Sequence, residues 1–491
     1  MHKLYGLLQH RKFKKRGSTN EHELYELHEN IISFHSYNSR NSLTLFLKLM
    51  LCFLFLFGVS VGAFAQTVNL EQARTLGLAN SRSLARYELA IRSSVLDERN
   101  QLYSMLPQVS AEYRASMYYL RNWEFFNPID TLSASAGISI TQIIFQGGKS
   151  FIQRAISAIS TESVRKDALA EYFNVIDTID NAYYAVLEAS AALEAEETSL
   201  QAANIASSIA EVRYASGMIN QGDYLRALAD KETRENTRNQ ARRNLALTLT
   251  RFKTLTGITE TVELEQIDFA SYEDMILRLA SISDEEADAL FERFWNMLTA
   301  ANPSLAKAAL NSQRAERNLT LTKRDYAPTI SATIFSGDIG FVSPNNFSNS
   351  GSGGISLTGR IPIDFWVLNN RIERSEIARD TSVLEYTNTE TSLEQELRNS
   401  LSNIFSQAGN AISSRRTLEY TERHFEYVME RYRLLQSSVS DLNEATSLYI
   451  SSRNSLNRAN YSFLQSLSKI RSLCAIDDED QLVSTFVGSG E

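Results

Sequence analysis

Two stretches of the chain say nearly the same thing. One is "RYASGMINQGDYLRALAD", Arg213 to Asp230, and the other is "RYRLLQSSVSDLNEATSL", Arg431 to Leu448. Each opens on Arg-Tyr, places an Asp nine residues after the Tyr (Asp223, Asp441) and an Ala four residues after that Asp (Ala227, Ala445). Their separation is 431 − 213 = 218 residues. Other segments echo each other at a similar distance. "LANSRSLA" (78–85) matches "AANPSLA" (300–306), "LPQVSA" (106–111) matches "APTISA" (327–332), and "GISIT" (137–141) matches "GISLT" (354–358). A repeat of about 220 residues marks an internal duplication, and a period on that scale sets the architecture.

The prolines say where the long elements run. All six fall at Pro107, Pro128, Pro303, Pro328, Pro344 and Pro362, which leaves 149–302 and 363–491 without one. Proline breaks helix interiors, so these tracts are free to hold very long helices, expected at about 149–214 and 371–434. At 1.5 Å per residue each is roughly 95 Å long. Leu393, Leu397, Leu401, Ile404, Ala408 and Ala411 advance by fours and threes, as do Tyr172, Ile176, Ile179, Tyr183 and Val186. That is coiled-coil-like spacing. It fits a plain antiparallel hairpin as well as a wall of many helices. Each rod is followed by one copy of the opening motif and then by a shorter helix, about 223–256 and 441–474. Asp223 and Asp441 sit at the restart, where a carboxylate caps free N–H groups and meets the positive helix end. The motif therefore reads as a helix hairpin tip, made twice.

Between the helices the period changes to two. Val109, Ala111, Tyr113, Ala115, Met117 and Tyr119 alternate with polar neighbours, and so do Ile138 and Ile140, Ile330, Ala332 and Ile334, and Ile355 and Leu357. Four strands are expected, at about 108–119, 134–145, 329–336 and 353–363, joined by the loops 120–133 and 336–354. Each is close to the length of a membrane-spanning strand, with one apolar and one polar face. Four strands per chain cannot close a barrel with a lumen, since the smallest bacterial barrels have eight, and open edges are forbidden in lipid. Three chains would supply twelve strands and two would supply eight. Soluble β-hairpins on a helical protein fit the same alternation.

The bulk numbers narrow the function. The 491 residues carry a net charge of −9, and residues 1–65 hold 8 Lys+Arg against 4 Asp+Glu, so the remainder stands at −9 − 4 = −13. Such acidity argues against nucleic-acid binding. Two cysteines, Cys52 and Cys474, make no disulfide framework, and the six histidines show no metal-ligand spacing. The sequence carries no phosphate-binding loop, no nucleophile elbow and no zinc motif. No catalytic residue, cofactor or metal is expected. Lys48 precedes "LMLCFLFLFGVSVGAFAQ" (49–66), an apolar run ending in the small-x-small pattern Ala63-Phe64-Ala65. This reads as a signal peptide over 43–65, cleaved between Ala65 and Gln66, with an uncleaved anchor as the other reading. Residues 1–42 form a polar extension with the basic cluster "HRKFKKR" (10–16); a start codon assigned too early would account for it.

Taken together, these features resemble the TolC-like outer-membrane efflux family. "LEQARTLGLANSRSLA" (70–85) resembles the family's opening helix, "TQIIFQGGKS" (141–150) its strand-to-helix junction with the pair Gly147-Gly148, and the two tip motifs its signature turns. The likeness covers about 66–476. It implies a mainly α protein with a membrane β-barrel: a first repeat over 66–290, a second over 291–476 and a C-terminal tail over 477–491. It further implies a homotrimer in which four strands per subunit complete a twelve-stranded barrel in the outer membrane of a diderm bacterium. A long α-helical barrel continues that pore across the periplasm, with helices 83–104 and 223–256 stacked to match one rod. The implied partners are outer-membrane lipid, a periplasmic adaptor protein docking near Tyr214, Gly217, Gly222 and Ser437, and an inner-membrane RND, ABC or MFS transporter. The implied function is the exit duct of a tripartite efflux pump or type I secretion system. Carried over residue by residue, Asp441 and Glu444 would ring the pore at its narrowest point. Tyr432 would link to Asp223 in the closed state. The family's gate arginine is replaced by Ser437; Arg213, Arg226 and Arg431 are the basic residues in reach of that role. Asn369-Asn370 stands where the first half has its Gly pair, and Asn, which tolerates positive φ, is expected to keep the turn. A pore-less periplasmic coiled-coil protein and a stand-alone diffusion porin are the competing functional readings.

Overall fold

A computed structural model describes residues 66–117, 132–336, 339–343, 346–348 and 353–487. The polar extension, the signal segment and Ala65 lie outside the described residues, as does most of the loop 120–133. Two rods dominate: α3 (Lys149–Ala215, 67 residues) and α8 (Phe365–Arg433, 69 residues), each about 100 Å long. Both are continuous because neither contains proline. Every one of the seam residues, from Tyr172 to Val186 and from Leu393 to Ala411, is buried. Dense alanine lets the lower half of α3 pack closely, with Ala195, Ala202, Ala206 and Ala210 all buried.

Each rod is matched by shorter helices laid end to end. Near the sheet, α2 (Arg82–Tyr103) packs on α3, and α7 (Pro303–Lys323) packs on both α3 and α8. At the far end, α4 (Gln221–Thr256) packs on α3, and α9 (Val439–Leu473) packs on α3 and α8. The neighbour order is thus α2–α3–α7–α8 above and α4–α3–α9–α8 below. The wall is one helix layer thick, with α2 and α4 at one edge and α8 at the other.

The strands keep the same order. β2 (Gln108–Met117) pairs antiparallel with β3 (Leu132–Phe145), whose other edge pairs with β5 (Thr329–Phe335) and β6 (Ile339–Ser343). β5 and β6 pair in turn with β8 (Gly354–Arg360) and β7 (Asn346–Ser348). β6 continues β5 and β7 leads into β8, so the sheet consists of four antiparallel lines. The expected loop over 336–354 is therefore strand over 339–343 and 346–348, because extended Ile-Gly-Phe-Val finds a partner along β3. Register separates the faces. Val109, Ile140, Ile334 and Ile355 lie side by side across four strands and are all exposed. The next row, on the opposite face, is Gln108, Thr141, Thr333 and Ser356, with Thr141 and Thr333 hydroxyls 3.1 Å apart.

The junction between sheet and helix differs in the two halves. Gly147 and Gly148 adopt φ of +65° and +76°, and a Cβ on Gly147 would stand 2.3 Å from the Ala327 methyl of the other half. The second half does not repeat that turn. Asn369 and Asn370 are helical residues inside α8, which starts earlier, at Phe365 after Asp364. Without a left-handed pair to bend it, the chain enters the helix directly.

A girdle surrounds the middle of the rods. β1 (Gln66–Val68) pairs parallel with β4 (Val262–Leu264), and the Tyr183 hydroxyl of α3 donates to the Glu265 carbonyl at 2.6 Å. α1 (Leu70–Asn80), α5 (Glu273–Ala280), α6 (Asp284–Ala301) and α10 (Glu479–Val487) complete it. The segment expected as a tail is thus a packed helix, with Leu482 and Phe486 buried. At its centre Arg74 grips Asp180 with two bonds of 2.7 Å. Ser468 donates to the same carboxylate at 3.0 Å, and Arg74 also reaches Glu479 at 3.1 Å. Asp180 is fully buried, so its removal takes from two buried arginines, Arg74 and Arg471, the one fully buried carboxylate they share. Asp180→Ala is expected to destabilise the fold by about 3–5 kcal/mol in denaturant titration, as loss of one partner of a buried pair does. The companion replacement Arg74→Met should recover part of that loss.

Candidate functional site: the paired helix tips

The tips are built alike from backbone outward. α3 ends in a Schellman turn, with Met218 N–H donating to the Arg213 carbonyl (2.8 Å) and Gly217 N–H to that of Tyr214 (3.0 Å). α8 ends identically, with Gln436 N–H donating to Arg431 (2.8 Å) and Leu435 N–H to Tyr432 (3.1 Å). Such a turn needs one left-handed residue. Gly217 takes it at φ +73°, whereas the second tip forces Leu435 to φ +65°.

Both following helices are capped. Asn220 accepts from Asp223 N–H at 2.9 Å and donates its amide to the Asp223 carboxylate at 3.0 Å. Gly222 is the second residue of α4, in the same first turn. Tyr214 stacks face to face on Tyr224, 5.1 Å between centroids, and closes the first hairpin. In the second tip Ser438 and Asp441 form a reciprocal capping box. The Asp441 carboxylate accepts from Ser438 N–H (3.0 Å) and the Ser437 hydroxyl (3.1 Å). These bonds hold its pKa below the usual carboxylate range. Asp441 stays ionised as pH falls into that range, and the stability it lends the tip is lost only as pH drops through the lowered value. Glu444 is exposed, one turn along the same helix face.

The two hairpins are tied by an arginine. Arg213, 7 % exposed, donates Nη2 to the Tyr432 carbonyl at 2.6 Å and Nη1 to the Ser437 carbonyl at 3.4 Å. Its guanidinium stands 4.5 Å from the Tyr432 ring centroid. Tyr432 itself is fully buried among Ala206, Ala210, Ala227 and Leu442. The expected link from Tyr432 to Asp223 is not made. The Tyr432 hydroxyl donates to the Ala206 carbonyl of α3 at 3.0 Å, one helix away from Asp223, whose carboxylate is engaged by Asn220. Of the three basic residues in reach, Arg213 makes the cross-hairpin contact, and Arg431 bonds its own turn at Gln436. Repetition of Arg-Tyr was the available signal, but it did not say that one arginine would cross and the other stay. Among the described residues, no group of acidic, His or Cys side chains is arranged to hold a metal ion.

A long duplicated wall with capped tips and a half-apolar sheet at its far end has a counterpart among known proteins. The family model described as "Outer membrane efflux protein" matches residues 74–258 and 295–475. The chain belongs to the outer membrane efflux protein family. Its two matched segments each carry one tip. Solved structures of similar fold include the Campylobacter jejuni CmeC outer membrane channel, 16% identical over 86% of this chain and 90% of that one, with a TM-score of 0.66. The outer membrane protein VceC of Vibrio cholerae is 15% identical over 82% and 95%, with a TM-score of 0.64. The open-state Neisseria gonorrhoeae MtrE outer membrane channel is 15% identical over 82% and 88%, with a TM-score of 0.60. No curated protein sequence matches the chain. This efflux protein is accordingly an outer-membrane protein with a helical periplasmic extension, TolC-like in fold.

Two outcomes are expected of tip variants. Arg213→Ala removes a charge-assisted bond of about 1.5–3 kcal/mol and should speed limited proteolysis within 434–438, whereas Asp223→Ala should leave that turn as protected as before. Leu435→Gly relieves left-handed strain and should raise the stability of the second tip by about 0.5–1 kcal/mol, read by hydrogen exchange, after the flexibility glycine adds to the unfolded chain is offset.

Proposed function

We propose that this efflux protein is the passive exit duct of a tripartite pump or type I secretion system, assembled as a homotrimer. The observation that carries the reading is the sheet: four antiparallel lines, one apolar face, and two outer edges, β2 and β8, that meet no further strand among the described residues. In lipid such edges must find strands, and three copies supply twelve. The helical wall supports the same closure. Its open edges carry apolar residues at seven-residue spacing, Leu89 and Leu96 on α2 and Ile377 and Leu384 on α8, all exposed.

In this reading the polar row Gln108, Thr141, Thr333 and Ser356 faces water in the bore, and the Val109–Ile355 row faces lipid. The tips form the periplasmic mouth. Tyr214, Gly217, Gly222 and Ser437 belong to the surface that meets a periplasmic adaptor, which couples the duct to an RND, ABC or MFS transporter in the inner membrane. The energy comes from that transporter, and the duct itself performs no chemistry. Asp441 and Glu444, once per copy, set six carboxylates about the three-fold axis, and Tyr432 and Arg213 hold the second tip in place beside them. Such a ring favours cations and repels anions.

The test is electrical. Protein purified in detergent should migrate as a heat-modifiable trimer and conduct in planar bilayers with a preference for cations. Asp441→Asn combined with Glu444→Gln should shift that preference toward anions. A monomer that is stable without detergent and carries no current would sink the duct.

A further inference from the structure

The chain enters the girdle through a very short strand. β1 spans three residues, Gln66–Val68, and pairs in parallel with β4, with Thr67 beside Glu263 and Val68 beside Leu264. Its inner end is anchored. Val68 is buried, and its carbonyl accepts from Glu265 N–H at 3.1 Å and from the Tyr183 hydroxyl at 3.2 Å. Asn69 then caps α1, which carries Arg74 into the buried pair with Asp180. The outer end is open, and Thr67 is exposed. A terminal strand stays ordered only where it is tied down, and its free end is where proteolysis begins. Loss of Gln66–Val68 would remove the whole of β1 and its pairing with β4.

The sequence over 43–65 reads as a signal peptide cleaved between Ala65 and Gln66, and the inference rests on that reading. Cleavage there puts a glutamine at the amino terminus of the mature chain. A free α-amine has an ordinary pKa of about 7.7–8.0, so near neutral pH part of it is the uncharged nucleophile. Glutamine carries the matching electrophile, a carboxamide, within the same residue and at the spacing that closes a five-membered ring. Such proximity takes the place of an external reactant. We propose that Gln66 closes to pyroglutamate, so that β1 begins in a neutral lactam. The amine nitrogen bonds to Cδ, the Cδ–Nε2 bond breaks, and Nε2 leaves as ammonia with a proton from the amine. No oxidant, reductant or cofactor takes part. The step deletes the terminal positive charge. It also removes the free amine that ordinary aminopeptidases recognise, so the strand that ties α1 to the girdle stays whole.

The experiment uses the full chain, exported by a diderm host and purified from its outer membrane in detergent. Reductive methylation of the intact protein marks any free α-amine before digestion, so ring closure during handling is not counted. Arg74 is the first basic residue after Gln66, and trypsin should therefore release 66–74. The expected peptide is unmethylated and lighter by one ammonia than the synthetic open-chain peptide of the same sequence. Gln66→Ser cannot close the ring. It should appear methylated at its first residue and lose β1 to an added aminopeptidase that leaves the parent protein intact. A methylated Gln66 overturns the lactam while the cleavage site stands. A first peptide that begins elsewhere, or a retained 43–65 segment, overturns the cleavage reading and the lactam with it. A parent protein trimmed as readily as Gln66→Ser overturns the protective role.

Discussion

A backbone N–H or C=O in hydrocarbon has to be paired, and most of this molecule follows from that constraint. One chain provides four strand lines, and among the described residues no further strand covers the outer edges of β2 and β8. Helices cannot hide those edges, since α2, α3, α7 and α8 lie beyond the end of the sheet and not across it. The remaining way to satisfy them is more strands of the same kind. The helical layer inherits the same geometry: it is a sheet of helices whose edges fall in the same order as the strand edges. A wall one helix thick can bury a core only along the seams between helices. That is why the buried residues form narrow rows, and why α3 and α8 spend alanine where backbones must approach.

Duplication explains the economy of the design and also its unevenness. At the same 218-residue offset that relates the tips, Gly217 corresponds to Leu435 and Gly257 to Ala475 (435 − 217 = 475 − 257 = 218). All four residues adopt positive φ and terminate helices. The first half uses glycine at both places and the second half uses residues with a Cβ. The turn geometry was kept while the residue that makes it easy was not. Strain of about 1 kcal/mol at each site is affordable only where surrounding contacts hold the turn, and the Arg213 bond to the Tyr432 carbonyl is one such contact. The halves also part at the sheet junction, where Gly147 touches Ala327 across the pseudo-repeat and α8 starts without a left-handed pair.

The legible parts of the sequence were those written in periodicity. Missing proline marked both rods, seam spacing picked out Leu397, Ile404 and Tyr183 as buried, and two-residue alternation found four strands. The extension of the third and fourth strands over 339–343 and 346–348 was hidden, because Gly, Ser and Asn there look like a loop until β3 offers its edge. The buried pair of Arg74 and Asp180 left no pattern at all: the residues are 106 positions apart, and only three-dimensional packing brings them together. The acceptor of the Tyr432 hydroxyl was hidden for a related reason. A tyrosine near an aspartate in an aligned motif suggests a bond, yet burial decides which acceptor the hydroxyl meets.

That burial has a consequence for how the tips move. Burial pushes the Tyr432 hydroxyl pKa up, with Arg213 working against it, so the ring stays neutral and locked to Ala206 at any ordinary pH. Tyr432 is thus part of the buried core of the tips. The releasable contacts at this end are the ones at the surface: Arg213 on the Ser437 carbonyl at 3.4 Å, and the serine hydroxyls on Asp441. Ser437 takes part in both, accepting from one hairpin through its carbonyl and donating to the capping carboxylate through its side chain. Moving Ser437 would break both of those contacts and leave the Ser438–Asp441 capping box in place.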